Sequence, residues 1–417
     1  MKWKRMIPPA AAPISVRDLF RGISGMAGTD RIGKLEREIR EYFGAESVFL
    51  ASSGKAALVL ILKGLASLRF RRKVVIPAYT CYSVPSAIVK VGLEVVPCDV
   101  DPDTLDFNYA QLASCTDEKT LCVVSTHLFG IPSDIDRARG ICEQKGIFLV
   151  EDAAQAMGII RGNRKLGTLG DVGFFSLGRG KNITCGSGGI ILTSKREIAD
   201  SIRKYHEELE KEPIGESIKN IIEALFIKIF LHPSLYWFPG GLPFLGIGET
   251  RFSTAFPMYR LSNSKAGMLA TWRATMERYN RCRKENVHFY LEGLALRKEM
   301  KIYSRELPLL RFPVYANTPE SKIEACERYG FLGISPMYPD SVNRIEQLRE
   351  HFGGRECKGA ERIAGTMMTL PTHVFLSAKD REDICELLGG EIDRGKSEEV
   401  SSSTDRYGGT KIDRSGG

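Results

Sequence analysis

The sequence lacks several features that would mark a membrane-spanning or metal-binding protein. No window reaches the ~18 uninterrupted apolar residues that a membrane span needs, and the nearest one, residues 218–231, contains Lys219, Glu223 and Lys228. The 10 cysteines include no Cys-x-x-Cys pair, and the 6 histidines show no paired spacing. This pattern argues against a zinc site and indicates reduced thiols. We therefore expect no bound metal and a cytoplasmic location.

The chain also lacks a strong excess of charge of one sign. Its 59 Lys and Arg residues against 51 Asp and Glu residues give a formal net charge of +8 over 417 residues. The densest basic runs, residues 2–5 and 69–73, are short, whereas a nucleic-acid binder normally concentrates its basic residues in one stripe. We therefore expect no nucleic-acid partner, and the mild surplus favours acidic substrates or an anionic surface.

Alternating patterns from residue 47 to about residue 200 predict βα units. Short β-rich runs are separated by amphipathic stretches, and runs such as residues 122–126 suit a sheet that is covered on both faces. The predicted strands are residues 73–77, 94–98, 121–126, 147–151, 173–177 and 189–193. The predicted helices are residues 55–65, 83–91 and 135–145. The predicted fold class is α/β, with a mostly parallel, doubly wound sheet in a large domain and a smaller α/β C-terminal domain.

Composition divides the chain into five segments. Residues 394–417 are polar, rich in Ser and Gly, and almost without apolar anchors, so we expect them to be disordered. Residues 262–294 predict one long helix with a polar face, ahead of mixed α/β patterning. The segments are an N-terminal arm (1–29), a large domain (30–204), a hydrophobic insertion (205–255), a long helix with a smaller C-terminal domain (256–393), and the tail (394–417).

The hydrophobic insertion has two interpretations. Its apolar residues recur mostly at spacings of three or four, which predicts one stripe on a helix. The stripe comprises Ile218, Ile221, Ile222, Leu225, Ile229 and Phe230. Since the charges off the stripe are mixed in sign, we expect it to be buried against the domain or a subunit partner, with Trp237, Phe238 and Phe244 over or beside the mouth of a site. Peripheral membrane contact through residues 218–248 is the alternative.

Residues 151–189 contain the clearest chemistry. Asp152 ends a predicted buried strand, and Lys181 follows 29 positions later in a Gly-rich turn after another strand. A lysine amine forms a Schiff base with the aldehyde of pyridoxal phosphate (PLP), and a carboxylate beside the ring nitrogen keeps that nitrogen protonated. Lys181 and Asp152 fit these two roles, although their spacing alone is also compatible with a solvated pair.

A small polar turn supplies a candidate phosphate site. Ser53 and Gly54 precede a predicted helix, whose first N–H groups and positive dipole end attract an anion. An ordinary serine N-cap is the alternative explanation. Ser176, just before the lysine loop, would contribute a hydroxyl to the same phosphate.

The motifs occur in an order that is specific when taken together. They are SSGKAAL, PAYTCYSVPSAI, PCDVDPDTLDF, THLFG, EDAAQAMG and GDVGFFSLGRGKNITCGSGG. The sequence closely resembles the DegT/DnrJ/StrS family of PLP-dependent sugar-nucleotide aminotransferases over about residues 30–204, and more weakly over residues 259–388. The resemblance implies an aspartate-aminotransferase-like (type I) PLP fold, a homodimer with active sites at the subunit interface, and glutamate as the amino donor.

The resemblance also assigns roles to residues of the cofactor site. It makes Lys181 the residue that binds PLP covalently and carries the catalytic proton, and Asp152 the partner of the ring nitrogen. Gln155 matches the residue beside the cofactor's phenolic oxygen. Gly54 and Lys55 match the phosphate-binding turn, where Lys55 would add a cation.

Four further residues are candidate site residues. His127 matches a position near the active site, although a histidine that closes a strand is more often a structural hydrogen-bonding residue. Tyr259, Arg260 and Tyr338, in the more weakly matching part, are candidate substrate or interface residues. Tyr259 and Arg260 match positions that cross to the partner subunit.

Two cofactor-site positions depart from the family pattern. Cys81 stands where the family stacks an aromatic ring on the cofactor, and Met258 stands where the family has an Asn that reaches the partner subunit's phosphate. Lys181 favours transamination, because the dehydratase branch of the family has histidine there. We expect an enzyme that moves an amino group from glutamate to a nucleotide-linked keto-sugar in polysaccharide, lipopolysaccharide or glycosylated-metabolite biosynthesis. The alternatives are a PLP enzyme of this fold acting on another carbonyl compound, and a non-catalytic regulatory or membrane-associated protein.

Overall fold

The computed structural model describes residues 5–27, 30–240, 250–294, 307–352 and 356–388. Their strands form one seven-stranded sheet and three two-stranded sheets. The strands are β1 (Ser47–Ala51), β2 (Lys73–Pro77), β3 (Glu94–Cys98), β4 (Val100–Asp101), β5 (Asp106–Phe107), β6 (Thr120–Thr126), β7 (Phe148–Asp152), β8 (Ile160–Arg161), β9 (Arg164–Lys165), β10 (Val172–Ser176), β11 (Gly189–Thr193), β12 (Arg311–Tyr315) and β13 (Met367–Pro371).

Helices connect and cover these strands. The α-helices are α1 (Val16–Gly25), α2 (Arg31–Phe43), α3 (Gly54–Leu68), α4 (Ser83–Lys90), α5 (Tyr109–Cys115), α6 (Ile135–Lys145), α7 (Arg196–Glu207), α8 (Ile214–Phe230), α9 (Trp237–Gly240), α10 (Asn263–Met268), α11 (Trp272–Gly293), α12 (Pro319–Tyr329), α13 (Lys358–Thr366) and α14 (Ala378–Leu388). Short 3-10 helices span Leu128–Gly130, Gly330–Leu332, Val342–Arg344 and Glu346–Phe352.

The large sheet is mostly parallel and is buried on both faces. Its strand order is β1-β11-β10-β7-β6-β2-β3, and β11 runs in the direction opposite to the other six strands. Alternate residues of one strand enter different cores: Val75 packs on one face, and Val74 and Ile76 pack on the other. Helices α2, α6 and α11 contribute to the first core, and α3, α4 and α7 contribute to the second. The predicted α/β class is confirmed.

All six predicted strands are present, each within one residue of its predicted ends. The apolar runs were sufficient to predict these strands, because strands covered on both faces need continuous apolar sequence. Strand β1 was not among the predicted strands. It is a five-residue strand at the edge of the sheet that pairs antiparallel with β11.

The prediction of one helix over residues 262–294 is wrong. The segment forms α10 and α11, and the chain turns between Leu269 and Thr271. Helix α10 packs so closely on α1 that a Cβ atom at Gly267 would lie 2.3 Å from the Arg21 carbonyl oxygen. The turn lets α10 keep this contact while α11 packs on the core of the large sheet.

The C-terminal part has its own core. Strands β12 and β13 pair antiparallel, and the three last helices pack around them. Mixed α/β elements therefore follow α11, as the patterning predicts. The boundaries of the five segments stay predictions, and the tail over residues 394–417 lies outside the described residues.

The apolar stripe of the insertion is mostly exposed. Helix α8 packs on α1 and α10 and buries the small or polar side chains of Ser217, Asn220 and Ala224. Ser217 Oγ and Asn220 Nδ2 each donate to Glu212 Oε1 at 3.0 Å. Ile221 packs against the core of the large sheet. The expectation that the stripe packs against its own domain is wrong for most of its other members, because the face of α8 that carries the polar network points inward. Phe226, which lies next to the stripe on α8, is 58% exposed.

Exposed apolar side chains also occur on α1, which contacts α8. Phe20 is 67% exposed. We call the exposed residues of the two helices the α1/α8 apolar surface. They are Val16, Phe20, Ile23, Ile214, Ile218, Ile222, Leu225, Phe226 and Ile229. Trp237 and Phe238 are also exposed, and Phe244 lies outside the described residues. Within the described ranges, no helix is long and apolar enough to cross a bilayer.

Candidate active site

The predicted site residues lie at one edge of the large sheet, where its parallel strands end. Strands β6, β7 and β10 end at Thr126, Asp152 and Ser176, and Thr126 is the register partner of Asp152. Strand β1 runs in the same direction as β10, since both are antiparallel to β11, and Ala51 and Ser176 both pair with Gly189. The carboxyl ends of parallel strands are where open α/β sheets bind ligands.

Ser53, Gly54 and Ser176 lie side by side at this edge, and we call this group the phosphate cradle after its predicted role. Ser53 Oγ accepts a hydrogen bond from the Ala56 N–H at 3.1 Å, so Ser53 caps α3. A Cβ atom at Gly54 would lie 3.0 Å from both Cβ and Oγ of Ser176. Only glycine therefore lets the start of α3 approach the Ser176 hydroxyl this closely. The helix start and the hydroxyl together suit a phosphate.

Lys181 lies within electrostatic reach of Asp152 at this edge. Gly180 has a φ of +68°, which turns the chain into Lys181. Asp152 is buried, and its Oδ1 accepts from the Ala154 N–H at 3.0 Å. Burial raises the pKa of Asp152, and the Ala154 hydrogen bond and the positive charge of Lys181 oppose this shift without cancelling it. Asp152 therefore favours a cationic partner.

Arg283 binds the backbone of the loop that contains Lys181. The sequence analysis did not identify Arg283 as a site residue. Its Nη2 donates to the backbone carbonyls of Lys181 at 3.3 Å and Asn182 at 3.1 Å, and its Nη1 donates to Asn280 Oδ1 at 3.0 Å. Burial lowers the pKa of Arg283 to about 10, so it stays charged at neutral pH. The sequence signal that could have identified Arg283 is its position on the buried stripe of α11. That stripe contains Met276, Tyr279, Asn280, Arg283 and Val287.

Gln155 connects the site to the C-terminal domain. Its Oε1 accepts from the Phe129 N–H at 3.0 Å, and its Nε2 donates to the Tyr338 hydroxyl at 2.8 Å. Gln155 and Tyr338 are both buried, and the Tyr338 ring centroid lies 5.3 Å from that of Tyr79. The structure therefore brings Tyr338 to the residue predicted to face the cofactor.

His127 has the contacts of a structural residue. Its Nδ1 accepts from the Ser133 N–H at 3.1 Å, so Nε2 carries the proton and donates to Glu151 Oε1 at 2.7 Å. Glu151 also accepts from the N–H groups of Gly167, Leu169 and Gly170. Burial raises the pKa of Glu151, but the bonds from His127 and the backbone lower it further, and the net shift is downward. This pair fixes the loop that precedes β10.

Lys55 and Cys81 are neighbours beside the phosphate cradle. Lys55 Nζ lies 4.4 Å from the ring centroid of Phe256, and Lys90 Nζ lies 4.6 Å from the same ring. Burial lowers the pKa of Lys55, Cys81 opposes this shift and Lys90 adds to it. Two cations therefore flank one aromatic ring at this end of α3.

Tyr259 and Arg260 lie beside the cradle within the same subunit. Tyr259 exchanges hydrogen bonds with Ser52: the Ser52 N–H donates to the Tyr259 carbonyl at 2.9 Å, and the Tyr259 N–H donates to Ser52 Oγ at 3.0 Å. Arg260 Nη2 donates to the Glu207 carbonyl, and the neighbouring Met258 packs into the core beneath α3. The crossing of this segment to a partner subunit stays a prediction.

The part of the insertion that follows α8 approaches the same region. Arg311 has Tyr79, Tyr236 and Tyr338 as electrostatic neighbours, and burial lowers the pKa of Arg311. Tyr236 belongs to the insertion, and the Met6 N–H donates to the Pro233 carbonyl at 2.9 Å. The insertion therefore reaches a cationic, tyrosine-lined part of the molecule next to Tyr338.

The residues present fit PLP. Lys181 supplies an amine within electrostatic reach of the Asp152 carboxylate, and the absence of a side chain at Gly54 brings the start of α3 next to the Ser176 hydroxyl. Within the described ranges, the buried Thr126 hydroxyl beside Asp152 has no hydrogen-bond partner. A bound anionic, polar ring would satisfy groups that are costly to leave buried alone.

Sequence comparison gives relatives of known activity. The L-glutamine:2-deoxy-scyllo-inosose aminotransferase of Streptomyces paromomycinus is 30% identical over 203 residues, which cover 48% of this chain and 47% of that protein. The GDP-perosamine synthase of Vibrio cholerae is 30% identical over 169 residues, which cover 40% and 46%. The chain therefore aligns with just under half the length of these curated relatives.

Comparison of folds and families covers more of the chain. The Streptococcus pneumoniae protein Spr1654, solved in PLP and PMP forms, has a TM-score of 0.73 in both, at 20% and 19% identity, over 92% of this chain and 98% of that one. This likeness confirms the predicted type I PLP fold. The sequence also matches a PLP-dependent family over residues 16–389, which confirms the predicted cofactor. The chain belongs to the DegT/DnrJ/EryC1/StrS aminotransferase family.

Proposed function

We propose that this protein is a PLP-dependent aminotransferase that moves an amino group from glutamate to a nucleotide-linked keto-sugar. Family membership supports the reaction class. The observation that supports it most is that Lys181 lies within electrostatic reach of the buried Asp152 at the edge of the sheet, with Gln155 and the phosphate cradle nearby. Lys181 also argues against a dehydratase reaction, because the dehydratase branch of the family has histidine at this position.

The site residues have different tasks in this reaction. Bound PLP supplies an aldehyde that takes up the amino group and a ring that accepts electrons. Lys181 attaches the cofactor, and its released amine then moves a proton at the substrate carbon. Asp152 keeps the ring nitrogen protonated, because a carboxylate with a raised pKa is stabilised by a cationic partner. The phosphate cradle and Gln155 orient the cofactor.

The acceptor is the least determined part of the proposal. One relative is named for L-glutamine and 2-deoxy-scyllo-inosose, and another for GDP-perosamine. Lys55 and Lys90 beside the cradle, and a net charge of +8, favour an acceptor with phosphates. Another carbonyl compound is the second candidate, which the first relative's name favours.

A half-reaction experiment tests the proposal. Glutamate or glutamine added to the PLP-loaded protein should abolish the visible absorbance of the lysine-bound cofactor. A panel of nucleotide-linked and free keto-sugars should then restore it, and mass spectrometry should identify the aminated product. Visible absorbance that neither donor changes would contradict transamination and favour a non-catalytic role.

We also propose that the protein is a homodimer and that the α1/α8 apolar surface contacts the partner subunit. The surface is exposed within one subunit, and contiguous apolar patches of this kind mark interaction sites. Lys219 and Lys228 on α8 are accompanied by Glu216 and Glu223, and this mixture of signs favours a protein partner. Peripheral membrane contact through residues 218–248 is the alternative.

A further inference from the structure

The Gln155 amide has one defined orientation. The Phe129 N–H donates to one amide atom at 3.0 Å, which identifies that atom as the oxygen and leaves Nε2 with two N–H groups. One of these donates to the Tyr338 hydroxyl at 2.8 Å. Because the hydroxyl accepts from Gln155, its own proton is free to be donated. Within the described part of the chain, this hydroxyl makes no other hydrogen bond.

Strained backbone surrounds this pair of side chains. Three described non-glycine residues have φ in the left-handed region: Leu105 at 58°, Phe129 at 58° and Met337 at 65°. Phe129 supplies the N–H that orients Gln155, and Met337 immediately precedes Tyr338. Such backbone is unfavourable for residues with a Cβ atom and is concentrated at functional sites, where surrounding contacts impose it. Two of the three strained positions therefore serve one hydrogen-bonded pair.

Tyr338 lies near Cys81, which stands where the family pattern has an aromatic ring. Its electrostatic neighbours are Cys81, Tyr79 and Asp152, and Cys81 is the position that departs from the aromatic pattern. Tyr338 is 2% exposed. Burial raises the pKa of Tyr338 well above its usual value, so the hydroxyl remains a hydrogen-bond donor at neutral pH.

We propose that the Tyr338 hydroxyl donates a hydrogen bond to the phenolic oxygen of bound PLP, beside the donor from Gln155 Nε2. This inference rests on the proposed function, because it requires PLP attached at Lys181. The phenolic oxygen is anionic, and hydrogen bonds to a charged form favour that form. A second donor therefore makes this oxygen a weaker hydrogen-bond acceptor for the proton of the lysine–cofactor linkage. Tyr338 thus lowers the pKa of that linkage.

The test is a pH titration of the visible absorbance of the PLP-loaded protein. Tyr338→Phe removes the hydroxyl and keeps the ring. It should raise the pKa of the linkage by about one unit, because a hydrogen bond to a charged group is worth roughly that shift. Tyr290→Phe is the matched control, since the buried Tyr290 hydroxyl donates to the Pro371 carbonyl at 2.9 Å. It should titrate like the wild type.

A second replacement keeps the hydroxyl and changes only its strength as a donor. Replacing Tyr338 by 3-fluorotyrosine makes the phenol more acidic, so the pKa of the linkage should fall instead of rise. The 3-fluorotyrosine replacement tests the role of the Tyr338 hydroxyl if the Tyr338→Phe variant does not fold. Wild-type protein without visible absorbance would contradict the proposed function itself. Wild-type absorbance that titrates identically after both replacements would overturn only the assignment to Tyr338.

Discussion

Asp152 and Glu151 are adjacent buried carboxylates whose pKa values are displaced in opposite directions. Successive residues of a strand point to opposite faces of a sheet, so Asp152 faces Lys181 and Glu151 faces His127. Burial raises the pKa of Asp152, whose hydrogen bonds are few. Glu151 is as deeply buried, but a histidine and three backbone N–H groups lower its pKa. One carboxylate is therefore suited to a cofactor and the other to structure.

Asp152→Asn should stabilise the cofactor-free protein while lowering the amino-transfer rate at least about 100-fold. Because the folded pKa of Asp152 lies above the unfolded value, stability falls as pH rises from the unfolded pKa to the folded one, and the loss persists at neutral pH. The gain in Tm should thus be larger at neutral than at acidic pH. Equal gains at both would contradict this account.

Glu151→Ala should lower the free energy of unfolding by about 3–5 kcal/mol, because it leaves the buried His127 Nε2–H and three N–H groups without an acceptor. The net lowered pKa of Glu151 means that its contribution exists above the unfolded pKa and is lost as pH falls through the folded pKa. Urea unfolding across acidic pH measures both effects. The exposed Glu118→Ala is the control, and a similar loss there would contradict the assignment.

At the scale of elements, α11 supports the lysine loop through Arg283. Arg283→Met should leave the Lys181 and Asn182 carbonyls buried without this donor, at about 1–3 kcal/mol each. We expect a lower Tm and loss of PLP during dialysis. Arg281→Met, at an exposed position of the same helix, should retain both. Full PLP retention in Arg283→Met would show that the loop holds its shape alone.

The sequence predicts those elements whose pattern is local. Strands covered on both faces must be apolar throughout, and polar residues at their ends mark the site edge, so Asp152 and Ser176 are recognisable without coordinates. The break at Leu269 was not predictable, because it depends on the close approach of Gly267 to α1. Arg283 resembles a solvated helix residue until the packing of α11 is known.

At the scale of the whole molecule, the site belongs to two domains. Gln155 and Tyr338 are separated by 183 positions, and the Leu310 N–H donates to the Phe129 carbonyl at 2.8 Å. No local pattern relates these residues. The exposure of Ile222 was also not predictable, because periodicity reveals an apolar stripe and not the surface that covers it.

Replacing both Phe20 and Phe226 with Glu should weaken dimerisation at least about tenfold, since charges would enter the proposed subunit contact. Sedimentation over a concentration series measures the shift. Ile160, another exposed apolar residue, gives the control Ile160→Glu, which should leave dimerisation unchanged. Strong sedimentation of the wild type with anionic liposomes, abolished by the double change, would instead support membrane contact.

The most direct test of the account is to locate the covalently bound cofactor. The PLP-loaded protein is reduced with borohydride, digested and mapped by mass spectrometry. We predict the phosphopyridoxyl mass on the peptide containing Lys181, and no fixed cofactor in Lys181→Ala. Modification of a different lysine, or an undiminished adduct in Lys181→Ala, would contradict the central claim that Lys181 and Asp152 form the PLP site.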